Sequence, residues 1–282
     1  MRLIDVRHLG RPRVIGCWVV DDVLIDPGPT SCLENLLEGL DGLVPRALLL
    51  THIHLDHAGA AGSLVERWPA LEVYVHERGA PHMVDPARLL ESARRLYGAG
   101  MDTLWGAMVP VPEGNVRVVR GGERVLDDAF EVAYTPGHAS HHVSYLSRGT
   151  AFVGDTGGVR IAADGPVIPP TPPPDIDLEA WHESIGRIQS WRPERIATTH
   201  FEAYDDVEHH LEELSSRLDD WARWAREDDR DAFISDVESY LHDAVEAELV
   251  PAYLQAAPPD QLFAGLDRYW RKRAQTGAAA SR

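Results

Sequence analysis

The chain has 282 residues, 44% of them hydrophobic and 26% charged. That suffices for one large domain, or a large domain with a small one, and excludes a fibrous or wholly disordered chain. Its 45 acids against 27 bases leave a net charge of −18, a field that repels phosphate backbones and disfavours nucleic acid as a partner. Residues 1–10 lack the apolar run and cleavage site of a secretory leader, and no stretch approaches the ~20 apolar residues of a membrane span. The expected location is cytoplasmic, with no membrane partner. Val14 to Ile25 reads as a β-hairpin turning at Asp21–Asp22, ended by Asp26-Pro27-Gly28-Pro29. Ser31 to Leu40 has helical spacing, and Arg46 to Leu50 is a short apolar strand running into Thr51-His52. A helix over Ala58 to Arg67 and a strand over Leu71 to Val75 complete a βαβ unit.

Residues 77–115 are mixed, with a helical stretch near Ala87 to Tyr97, and read as an insertion. Strands follow at Val116 to Val119, Glu123 to Leu126, Phe130 to Thr135, Val143 to Leu146 and Ala151 to Val153. The prolines of Pro166 to Asp175 forbid a helix or central strand and predict a stiff extended loop. A helix over Leu178 to Ser190 leads to a last strand, Arg195 to Thr198, and to Thr199-His200. Beyond it, Val207, Leu211, Leu214, Leu218, Trp221 and Trp224 line one helical face, expected to pack on the main domain. Further helices are expected at Asp231 to Leu249 and Pro259 to Arg273. The division that follows is a main domain over 1–203 containing the insertion, a helical region over 204–276 and a flexible tail over 277–282. Cys17 and Cys32 have no metal-ligand spacing and read as two buried thiols.

Thr51-His52-Ile53-His54-Leu55-Asp56-His57 packs four metal-ligand side chains into six residues. Alternate side chains of an extended segment point the same way, so His52 and His54 can face one metal. Asp56 and His57 sit where the next helix starts and can address a second. Three predicted strands end in His138, Asp155 and His200, and ligands on loops after several β-strands can converge at one edge of a sheet. Three histidines and an acid beside an apolar strand would be costly to half-bury without a partner.

HxHxDH, then Gly137-His138, then Gly154-Asp155, then Thr199-His200 resembles the metallo-β-lactamase superfold over residues 10 to 203, most closely its glyoxalase II-like and lactonase-like branches. The resemblance implies an α/β fold, an αββα four-layer sandwich, with a C-terminal helical extension. It implies that His52, His54 and His138 hold one metal, that Asp56, His57 and His200 hold the other, and that Asp155 bridges them. Two divalent ions set against two carboxylates and a bridging hydroxide leave a net positive centre, suited to an oxyanion. Zinc is the first choice, with iron or manganese compatible. Asp56 is also the candidate catalytic proton shuttle.

The expected reaction is hydrolysis of a small-molecule ester, thioester or lactone. The residues from Gly154 to Arg160 depart from the glyoxalase II pattern, which argues against glutathione thioesters. Other readings are a small phosphodiesterase or nuclease, an iron-dependent sulfur dioxygenase, and a non-catalytic metal-binding protein. His142 and His141 are expected to hold their loop, and Asp26 to serve a turn or support a ligand. His76, His82 and His182 read as surface or packing residues. Tyr97, Met101, Trp105 and Met108 could wall an apolar pocket or simply pack within the insertion. Nothing in the sequence fixes the oligomeric state.

Overall fold

The structure, a computed structural model, describes residues 1–280. Strands β1 (Arg2–Asp5), β2 (Gly16–Val20), β3 (Val23–Ile25), β4 (Ala47–Leu49), β5 (Glu72–His76) and β6 (Val116–Val119) lie side by side in chain order. The first three pair antiparallel and the rest parallel. A second sheet contains β7 (Arg124–Val125), β8 (Phe130–Tyr134), β9 (Val143–Ser147), β10 (Thr150–Phe152), β11 (Arg195–Ala197) and β12 (Ala203–Tyr204). All its pairings are antiparallel except β10 with β11.

Both faces of the central strands β2, β3, β4 and β10 are buried, and strand alternation assigns the side chains to layers. In β3 and β4, Val23, Ile25, Ala47 and Leu49 point between the sheets, where they meet Phe130, Val132, Tyr145 and Phe152. Leu24 and Leu48 point outward into a core shared with the helices. Trp18 Nε1 donates to the Thr198 carbonyl at 2.8 Å and Tyr145 Oη to the Leu50 carbonyl at 2.9 Å, so the two sheets are also hydrogen-bonded to each other.

Helix α1 (Leu33–Leu40) follows β3, while α2 (Leu55–Ala58) and α3 (Ala61–Arg67) link β4 to β5. The single helix expected from Ala58 starts earlier and breaks at Gly59–Ala60, where Ala60 N–H turns to the Gly28 carbonyl at 3.0 Å. The 77–115 segment folds as α4 (Ala80–Val84), α5 (Ala87–Tyr97) and α6 (Met101–Trp105). Helix α5 has no fully buried residue. Helix α7 (Leu178–Ser190), started by the Asp177 side chain accepting from Ala180 N–H, covers the second sheet. The result is the expected four-layer αββα sandwich.

The C-terminal helices are α8 (Val207–Glu227), α9 (Arg230–Ala244), α10 (Val250–Ala256) and α11 (Pro259–Ala280). The α8 stripe is buried at Leu211, Leu214, Leu218 and Trp221, against α7 and the later helices. The helix expected over Asp231 to Leu249 stops at Ala244, where Val245 is extended, and Pro251 opens α10 instead. Of the tail expected at 277–282, residues 277–280 continue the α11 backbone and 281–282 lie outside the described residues. No helix among the described residues is long and apolar enough to cross a membrane.

The Gly154-Asp155 step depends on a residue without a side chain. Gly154 has φ +45°, and a Cβ there would stand 2.5 Å from Thr51 Oγ1 and 2.8 Å from His142 Nε2. Gly154→Ala should lower stability by about 3 kcal/mol through left-handed strain and overpacking. Urea denaturation tests this, and an unchanged midpoint would show that the turn relaxes freely.

Candidate metal centre

Each candidate ligand sits just beyond a strand or at a helix start. β4 delivers His52 and His54, and α2 begins at Leu55 and carries Asp56 and His57. β8, β10 and β11 lead to His138, Asp155 and His200. All seven meet at one edge of the sandwich in two groups: His52, His54, His138 and Asp155, and Asp56, His57 and His200. Within each group the potential ligand atoms lie within 4.8 Å of one another.

Asp155 divides its oxygens between the groups. Oδ2 lies 3.3 Å from His138 Nε2 and 3.9 Å from His52 Nε2. Oδ1 lies 3.1 Å from His57 Nε2 and 3.4 Å from His200 Nε2. Asp56 Oδ2 approaches His200 at 3.5 Å and His57 at 3.7 Å. His54 differs from the other histidines, because its Nδ1 faces inward, 3.0 Å from His138 Nε2.

The outward nitrogens are tied down, which fixes each ring. His57 Nδ1 donates to Asp26 Oδ2 at 2.8 Å, His138 Nδ1 to the Pro170 carbonyl at 2.8 Å and His200 Nδ1 to the Val14 carbonyl at 2.6 Å. His52 Nδ1 reaches Thr51 Oγ1 at 3.1 Å, and that hydroxyl donates to Asp26. The inward atoms are left unpaired: Nε2 of His52, His57 and His200 and Oδ1 of Asp155 are buried without a hydrogen-bond partner. A buried unpaired polar group costs about 1–3 kcal/mol, so four at one point indicate a missing common partner. The donor set is imidazole and carboxylate, which fits divalent cations.

Charge reinforces that fit. Burial holds His52 well below the ordinary histidine range, and burial with the facing His138 brings His54 down to about 4. Burial also works against a charged His57, but Asp155, Asp56 and Asp26 outweigh it and raise its pKa well above the usual value. Burial pushes the Asp155 carboxyl up, and His57, His138 and His200 overcome it and hold the group well below the carboxylate range.

A cavity of about 650 Å³ opens onto the centre at His54, Asp56, Asp155 and His200, a size typical of small-molecule sites. Its apolar lining includes Ile53, Leu89, Leu96, Leu104 and Trp105 together with Pro170, Pro172, Pro173 and Pro174. Tyr97 and Trp105 line it, whereas Met101 and Met108 are buried in the core. Arg78, Arg88, Arg95 and Arg268 also line it. Besides Asp56 and Asp155, the carboxylate among its described lining residues is Asp175, which already accepts from Ser140 Oγ at 2.7 Å.

The structure places the other histidines individually. His142 bonds Thr135 Oγ1 and Thr156 N–H and holds the loop, as expected. His76 stacks on Tyr134 and His182 bonds Asp219, in line with packing and surface roles. His82 instead lines the cavity, and so does His8. His8 is buried, stacked on Trp105 at 5.1 Å and bonded to the Leu104 carbonyl and to Gln255. No local pattern marks His8, because its partners lie 96 to 247 residues away.

Comparison with known proteins agrees with this geometry. Residues 10–200 match the family model for the metallo-beta-lactamase superfamily. A metallo-beta-lactamase fold-containing protein of Sulfurisphaera tokodaii is 31% identical over 204 residues, covering 69% of this chain and 75% of that protein. Its crystal structure superposes with a TM-score of 0.62 over 75% of this chain and 84% of that one. A hydroxyacylglutathione hydrolase of Xylella fastidiosa is 34% identical over 134 residues, 48% of this chain but only 40% of that enzyme's length. The solved structure of TTHA1623 in a di-iron-bound form is 31% identical, with a TM-score of 0.53 over 71% of this chain and 93% of that one. The two-group His/Asp site is thus a dinuclear-type metal site on a shared scaffold, and the chain belongs to the metallo-beta-lactamase superfamily.

Proposed function

We propose that this protein is a dinuclear metallohydrolase acting on a small ester, thioester or lactone. The observation that carries the proposal is the split of Asp155, one carboxylate oxygen toward each histidine group. His52, His54 and His138 would hold one ion, and Asp56, His57 and His200 the other, with Asp155 shared. Bound there, two divalent ions would supply an ionised water at neutral pH and a Lewis acid for a carbonyl oxygen.

The chain's own residues then have distinct tasks. Asp26, Pro170 O and Val14 O aim the imidazoles. Asp56 is half-buried and lines the cavity, so its carboxylate can accept a proton from attacking water and return it to the leaving group. Ile53, Leu89, Leu104 and Trp105 exclude water from an apolar acyl portion. Arg78, Arg88 and Arg268 favour a substrate that also carries an anionic group, Arg95 being already paired with Glu91, although the whole chain is acidic. The hydroxyacylglutathione hydrolase relative supports thioester chemistry. Zinc is the proposed metal, and iron is the alternative raised by the di-iron neighbour.

Metal analysis of protein purified without added metal, joined to thioester, lactone and phosphodiester panels, tests the reading. Two ions per chain and turnover of an acyl substrate are expected. A single iron with oxygen consumption on a persulfide would replace it with dioxygenase chemistry, and phosphodiester cleavage alone would replace it with phosphodiesterase chemistry.

A further inference from the structure

Beside the two ligand groups stands a histidine that neither uses. The His141 ring lies parallel to the His52 ring at 6.1 Å between centroids and edge-on to the His54 ring at 5.6 Å. It is outside both groups of ligand atoms and lines the same cavity as His54, Asp56 and His200. The expectation that it pins its loop is not met, because its neighbours do that work. Ser140 Oγ bonds Asp175 Oδ2, and the His142 ring is bonded at both nitrogens.

His141 Nδ1 is buried without a hydrogen-bond partner. A proton there would have nothing to donate to, and an unpaired buried N–H is the rarer and costlier defect. The tautomer protonated at Nε2 is therefore preferred. Nε2 is not among the buried unpaired atoms, so its N–H is the one left for the cavity.

We propose that the Nε2–H of His141 donates a hydrogen bond to the substrate's carbonyl oxygen as that oxygen becomes an oxyanion. This assignment rests on the hydrolase reading. The water oxygen bonds to the acyl carbon, the bond to the leaving oxygen or sulfur breaks, and the leaving group takes the proton that water gave up. His141 keeps its own proton throughout and acts by stabilising charge.

The test compares His141→Ala with His141→Gln, which retains an N–H donor. Three quantities are read: metal content, steady-state kinetics on the panel thioester that the wild type cleaves best, and hexanoate binding to the metal-loaded protein by calorimetry. Both variants should keep two ions per chain. In His141→Ala, kcat should fall about 100-fold with KM within about threefold, the usual consequence of losing one oxyanion donor. His141→Gln should recover about tenfold of that loss, and hexanoate should bind about tenfold more weakly to His141→Ala. Metal loss in His141→Ala, equal kcat losses in both variants, or a wild-type kcat would each overturn the proposal. Should the wild type cleave nothing on the panel, the hydrolase reading falls. The hexanoate arm still decides His141, since unchanged binding in His141→Ala overturns its role as a donor to a substrate oxyanion.

Discussion

Replacing Asp155 with asparagine should abolish the dinuclear centre while leaving the sandwich folded. The amide keeps the volume of the carboxyl but offers one neutral oxygen where two charged ones now face His138 and His57 at 3.3 and 3.1 Å. It can serve one histidine group and presents an N–H₂ to the other, where a cation would have to sit. Losing a residue that merely orients a ligand costs 10–100-fold in metal affinity or activity, so losing the shared ligand should cost more than about 100-fold in both. Elemental analysis should find at most one ion per chain. Thermal unfolding supplies an independent readout. At free metal about 100 times its Kd, a protein that binds only when folded gains about 2.7 kcal/mol. Chelation should therefore lower the wild-type melting temperature and barely move that of Asp155→Asn. An asparagine variant that retains two ions and the chelator effect would remove Asp155 from the bridging position.

The candidate ligands were legible in the sequence to the extent that their geometry is local. His52 and His54 share a side because an extended segment alternates, and Asp56 and His57 follow because a helix begins at Leu55. His138, Asp155 and His200 could be picked out only as strand-end residues, and strand ends in an open sheet share an edge. Short apolar runs bounded by turn signals, such as Val23 to Ile25, were legible as strands, while their arrangement as a sandwich came from the resemblance carried by the His and Asp motifs. The outermost strands β1 and β12 were not: neither Arg2–Asp5 nor Ala203–Tyr204 holds more than two apolar residues in a row, and they form by pairing with the free edges of β2 and β11.

The substrate side was the least legible part. The −18 charge is a whole-chain sum and hides four arginines gathered around one cavity from the 77–115 segment and α11. Gln255 and Leu262 reach the same cavity, so the C-terminal helices wall the site as well as packing on the sandwich. The joint is His8, which ties the N-terminal segment to Trp105 of α6 and Gln255 of α10 through contacts that no sequence window contains. Ligand spacing follows from backbone geometry, whereas pocket walls follow from tertiary packing. The metal centre was therefore readable, and its substrate was not.

Asp26 joins those two levels, and its loss is the second large effect expected. It is fully buried, and its carboxylate accepts four hydrogen bonds from three residues. Thr51 N–H reaches Oδ1 at 2.8 Å, while Thr51 Oγ1 at 2.6 Å, His57 Nδ1 at 2.8 Å and Thr199 Oγ1 at 2.8 Å converge on Oδ2. Thr51 and Thr199 immediately precede His52 and His200, so one side chain sets the position of both groups. Its φ of +50° also suits a residue kept for its turn, and Asp26→Asn separates the two explanations. Asparagine tolerates the left-handed region as well as aspartate does. It cannot accept four bonds at these positions, because its N–H₂ must face either the Thr51 N–H or the three donors at Oδ2. Stability should fall by about 3 kcal/mol or more, the scale for breaking a buried charge-assisted network. Affinity for the ion at Asp56, His57 and His200 should fall about 10–100-fold, since His57 loses the anion that orients it. Urea denaturation of the metal-free protein measures the first effect and metal titration the second. A variant with unchanged affinity would confine Asp26 to the turn, and one with unchanged stability would show that the buried network is dispensable to the fold.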